Sequence, residues 1–100
     1  MRKTILLAVT ALVVAGCDYG QTRSSFQIKV AGKTLDEAIA AAGKPARQEA
    51  RASGDTVLVY ERKTFDAENM NAKDAAVLVT FKKDPKTGQL EYWGIEFIPL

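Results

Sequence analysis

The sequence predicts an α+β domain: a short N-terminal helical segment packed on a three- to four-stranded antiparallel sheet (a meander), behind a lipoprotein signal peptide. Three observations predict it. A helix pattern with both its start and its stop written out lies early in the domain. Three apolar runs separated by turn residues fill the second half. The sixteen residues ahead of the single cysteine have the composition of a leader rather than of a folded element.

Met1, Arg2 and Lys3 make a short positive start, and residues 5–14 are apolar apart from Thr10. That run is too short to cross a hydrocarbon core, which takes about 20 residues of helix. Val14-Ala15-Gly16-Cys17 follows and resembles the bacterial lipobox: an aliphatic residue, two small residues and a cysteine. Small side chains let the scissile backbone enter a peptidase, which places the cleavage between Gly16 and Cys17. The Cys17 thiol then takes a diacylglycerol through a thioether, and the freed amine takes an acyl chain of the palmitate type. Each buried CH₂ contributes about 0.8 kcal/mol, so two or three chains hold a protein on a membrane durably. No other cofactor is expected. Asp18 resembles the sorting residue that keeps lipoproteins of enteric bacteria in the inner membrane, so an anchor facing the periplasm is expected, with Asp18 favouring the inner over the outer membrane.

Without the leader the chain is 84 residues, enough for one domain with one modest core. Arg2 and Lys3 leave with the leader, so twelve basic side chains face twelve acidic ones. The nominal charge of +2 belongs to the leader, and a neutral domain has no electrostatic footprint for nucleic acid. There is no histidine, and Cys17 is the only cysteine. An intrachain disulfide, a thiol–imidazole pair and a cysteine–histidine zinc site are therefore excluded.

The expected layout is residues 1–16 as signal peptide, 17–25 as lipidated cysteine and flexible tether, and 26–100 as a single α+β domain. Phe26-Gln27-Ile28-Lys29-Val30 alternates and predicts a short strand or extended lead-in. Thr34 with Glu37 three residues on makes a capping box, and Asp36 and Glu37 suit the positive end of a helix. Leu35, Ala38, Ile39 and Ala42 share one face of that helix; Gly43 and Pro45 end it. Residues 46–52 suit either a helix or a polar edge strand. Strands are predicted over residues 56–63, 76–83 and 90–98, with Trp93, Ile95 and Phe97 on one face of the last. Residues 64–75 lack a period and read as a long mobile or binding loop.

The stretch from Gly32 to Pro45 resembles the helix signature of the SmpA/OmlA family of small bacterial lipoproteins. That signature has glycine, any residue, threonine, an amphipathic segment, then glycine, any residue and proline. Gly32, Thr34, Gly43 and Pro45 stand at its spacing, while Ala38 and Ala42 occupy positions where the family carries larger aliphatics. The resemblance implies a helix-and-sheet fold over residues 26–100, of a plan shared with β-lactamase inhibitor proteins, and a role in assembling outer-membrane β-barrels.

Nothing in the sequence assembles a catalytic site. Ser24, Ser25 and Ser53 have no histidine to activate them, and no enzyme is expected. Asp66, Glu68, Asn69, Asn71 and Asp74 are rich in oxygen, but Met70 takes a ligand position of a calcium loop and Asn71 the position of its glycine. No metal and no small-molecule substrate are expected. The function that remains is a lipid-anchored protein-binding module of the cell envelope, an accessory of an envelope or outer-membrane assembly complex. The alternative is a membrane-tethered inhibitor, immunity or exclusion protein of related fold. Candidate partner-binding residues are Tyr60 and Tyr92 on the sheet, Phe65 and Met70 in the long loop, and Lys82 and Lys83 at the last hairpin, whose lysines also suit anionic lipid head groups.

Overall fold

A computed structural model describes residues 20–100. The expectations for the signal peptide, the Gly16–Cys17 cleavage, lipidated Cys17 and sorting Asp18 lie outside the described residues. Among the described residues the fold is α+β, with two helices and a mixed sheet of six strands, larger than the three to four strands expected. The elements are β1 (Gln21–Thr22), α1 (Arg23–Val30), α2 (Leu35–Ala42), β2 (Arg47–Ala50), β3 (Thr56–Glu61), β4 (Thr64–Asp66), β5 (Ala72–Lys83) and β6 (Leu90–Pro99).

The long strand β5 organises the sheet. It pairs antiparallel with β6 on one side and with β3 and β4, in line, on the other. Arg62 separates β3 from β4 in the left-handed region at φ 55°, and its N–H still donates to the Ala75 carbonyl at 3.2 Å. Strand β2 pairs antiparallel with the outer edge of β3, which settles residues 46–52 in favour of a strand. Strand β1 pairs parallel with β4 and makes the sheet mixed.

Helix α2 forms where its sequence places it. Thr34 accepts from the Glu37 N–H at 3.3 Å, Glu37 accepts from the Thr34 N–H at 3.1 Å, and Gly43 closes the helix at φ 94°. Helix α1 corrects two expectations, since residues 26–30 are helical rather than extended, and residues 21–25, read as tether, belong to β1 and α1. The five-residue alternation misleads because Phe26 and Val30 also stand four apart on a helix. Both are fully buried there, while Ile28 is 74 % exposed. The start signal is Thr22, whose hydroxyl accepts from the Ser25 N–H at 3.1 Å.

Both helices lie on one face of the sheet. Phe26, Val30 and Ala38 meet Leu58, Tyr60, Val77, Val79 and Phe81, with Leu90, Tyr92, Ile95 and Phe97 at the margin. Residues 64–75 are not a long loop. They fold as β4, the loop 67–71 and the start of β5, and Met70 and Asn71 at φ 54° and 59° form a left-handed pair inside that loop, closed by the Ala72 N–H on the Asn69 carbonyl at 3.0 Å.

Candidate functional site

Two register shifts decide which side chains reach the surface. Phe81 pairs with Tyr92 and Thr80 with Gly94, so Trp93 is an extra residue in β6, a β-bulge. One added residue resets the alternation. Tyr92 and Ile95 therefore both face the helices, and Trp93 does not share the face of Ile95 and Phe97, contrary to the simple period of two. Trp93 stands 64 % exposed on the opposite face, with the Lys82 ammonium 4.4 Å from its ring centroid. A cation over an indole face gains about 0.5–1 kcal/mol when exposed. That contact holds the ring while leaving much of it in solvent. Leu78, Ala76 and Ile98 lie farther along the same face, half-buried, with Glu96 exposed opposite Leu78.

The other candidates divide. Tyr60 is a core residue and not a partner anchor, because its ring packs edge-on to Phe26 at 5.0 Å and its hydroxyl donates to the Gly43 carbonyl at 2.7 Å. Burial pushes its pKa up to about 12. Tyr92 is half-buried on the helix side, edge-on to Phe81 at 6.4 Å. Phe65 is half-buried in β4. Met70 is 95 % exposed at the tip of the β4–β5 hairpin. Lys83 is exposed at the end of β5, ten residues along the strand from Lys73. At about 3.3 Å per residue that separates the Lys82–Lys83 end from the Met70 end by at least about 30 Å. The candidates do not converge on one site.

The sequence reading missed a buried charge. Asp74 is 1 % exposed and holds Arg23 through both oxygens, with Arg23 Nε at 2.9 Å, and it also accepts from the Thr64 hydroxyl at 2.8 Å. Burial pushes the Asp74 carboxyl up, but the Arg23 and Thr64 hydrogen bonds and the Arg23 charge outweigh it and hold it below its ordinary value. The hydrogen bond to Asp74 raises Arg23 in turn. The guanidinium also reaches Asp66 at 3.4 Å and lies 5.0 Å from the centre of the Phe97 ring. With every polar atom engaged, the cluster is a clamp that holds α1 to β4, β5 and β6. It has no sequence signature because Arg23 and Asp74 stand 51 residues apart.

Among the described residues no group of three histidine, cysteine or carboxylate side chains is placed to hold a metal ion. No helix among them is long and apolar enough to cross a membrane. No family model, curated protein or solved structure matches the chain.

Proposed function

We propose that this protein is a non-enzymatic, lipid-anchored protein-binding module of the bacterial cell envelope, held at the membrane through acylated Cys17 and facing the periplasm. The observation that carries the binding role is the exposed Trp93 with Lys82 over it, on the sheet face that neither helix covers. A large, pre-positioned aromatic beside a cation is the kind of anchor that dominates protein interfaces. The leader and lipobox support the anchor. The Gly32–Pro45 signature supports a SmpA/OmlA-like accessory of an envelope assembly complex, and Asp18 favours the inner membrane.

A photoreactive amino acid placed at Trp93 tests the binding role in intact cells. A discrete crosslinked envelope protein is expected, weakened when Lys82 beside the ring is changed to serine. Absence of any adduct there and at Met70 overturns it. The anchor has its own test: Cys17→Ser abolishes lipid labelling and membrane fractionation, and unchanged fractionation refutes it. Sedimentation with the outer membrane together with the barrel-assembly machinery sharpens the role toward that complex.

A further inference from the structure

The two edges of the sheet are guarded very differently. Strand β2 is four residues long and charged, with Arg47 bound to Glu49 at 2.8 Å and to Glu61 at 3.4 Å, and Arg51 to Glu49 at 3.6 Å. Short, charged edges resist pairing with another chain. Strand β6 is ten residues long. Its first part is occupied, since Thr34 bridges Glu91 and the Tyr92 N–H donates to the Lys33 carbonyl at 2.9 Å. At its far end the Leu100 N–H donates inward to the Lys73 carbonyl at 3.2 Å. Alternation along an antiparallel ladder then turns the N–H and C=O of Ile95 and Phe97 outward. Among the described residues no hydrogen bond reaches those four groups.

We propose that this edge takes up an extended strand of a different polypeptide, one carrying a lysine or arginine opposite Glu96. The proposal rests on the reading of the domain as a protein-binding module. A row of outward N–H and C=O groups fits an added β-strand and little else. The chain's own β6 is a poor candidate in the three antiparallel registers centred on residues 95 to 97. Pairing centred on Glu96 sets two carboxylates directly opposite each other, which is destabilising. Pairing centred on Phe97 sets Pro99, which has no N–H, against Ile95. Pairing centred on Ile95 sets Phe97 against bulged Trp93, whose N–H turns inward with that of Gly94. Glu96 is the only charged residue between Trp93 and Leu100, so the charge it rejects in a second copy is the charge that selects its partner.

Two nine-residue peptides of alternating threonine and valine, one with a central lysine and one with a central glutamate, test this on the detergent-solubilised full chain. The lysine peptide is expected to bind about three- to tenfold more tightly, and E96K to reverse the preference. The Ile95 and Phe97 amides should gain protection from hydrogen exchange on binding. Failure of both peptides to bind, equal affinities unchanged by E96K, or protection on β2 instead overturns the proposal. E96V should shift the chain toward a concentration-dependent dimer in sedimentation; a wild-type dimer that protects Ile95 and Phe97 also overturns it. A partner crosslinked at Trp93 that leaves both amides unprotected keeps the binding module and removes the edge, whereas no crosslinked partner removes the module itself.

Discussion

Helices α1 and α2 are each eight residues long and lie on the same face of one sheet, yet different physics holds each in place. Helix α2 is specified locally by its capping box, its first-turn acids and its glycine stop. Helix α1 has a single side-chain cap and no acidic residue in its first turn, although Lys29 in its last turn and Gly32 at φ 73° mark its end. It is fixed from outside, by Phe26 and Val30 in the core and by Arg23 on Asp74. Eight-residue helices are unstable alone, so tertiary contacts decide both, but they decide far more for α1.

The largest expected effect follows from that asymmetry. Phe26→Ala should cost about 3–5 kcal/mol, since it empties the centre of the core. Ala38→Gly, at the fully buried position of α2, should cost only about 1 kcal/mol through helix propensity. Urea unfolding of both variants checks the ratio. Equal losses would mean that α2 depends on its packing as much as α1 does.

Asp74→Asn should come next. It leaves Arg23 with only the more distant Asp66 carboxylate at 3.4 Å, and about 2–3 kcal/mol is expected for a lost charge-assisted hydrogen bond on a partly exposed guanidinium. The same pair sets an acid limit. The folded Asp74 carboxyl lies below its ordinary 3.8, so its contribution is present above that value and is lost as pH falls through the folded pKa. Acid titration of stability should therefore lose that part of its slope in Asp74→Asn, and loosening should begin in α1, as seen by exchange of the Val30 amide before that of Ala42.

What was legible in the sequence follows the same division. Thr34, Glu37, Gly43 and Pro45 act within a dozen residues of one another, and the expected helix bounds coincide with those of α2. The β3, β5 and β6 meander was legible from its alternation and turn residues. Helix α1 was not, because Phe26-Gln27-Ile28-Lys29-Val30 satisfies both periods, and the contacts that hold the helix, Phe26 and Val30 in the core and Arg23 on Asp74, come from strands distant in sequence. Trp93 was misplaced because a bulge depends on the pairing of two strands. The β4–β5 hairpin was hidden because Met70 and Asn71 do the work that Asn-Gly does in a recognisable turn.

The α2 end carries its own pH response, at the opposite extreme. Tyr60 donates to the Gly43 carbonyl, and burial raises its pKa from 10.0 to about 12. A raised pKa contributes stability that is fully present below the unfolded value and is lost as pH climbs toward the folded one. Between pH 10 and about 12 the fold should lose about 2 kcal/mol. Tyr60→Phe should cost about 1 kcal/mol at neutral pH for the lost hydrogen bond and abolish the alkaline step. A step that survives the substitution would place its origin in another group.

The smallest effects separate the two caps. Thr34 belongs to a reciprocal box, whereas Thr22 accepts one hydrogen bond with Ser25 as its third helical residue. Thr34→Ala frees the Glu37 N–H and loosens the Glu37 carboxylate from the residue 34 N–H, so about 1 kcal/mol is expected. Thr22→Ala frees one N–H at a helix already clamped by its neighbour Arg23, and a loss nearer about 0.5 kcal/mol is expected. Adding Asp74→Asn to each variant tests the comparison directly. The Thr22 and Asp74 changes act on the same helix end and should deviate from additivity, while Thr34 and Asp74 share no partner and should add. Coupling of the same size in both pairs would show that the two helices are held as one unit after all.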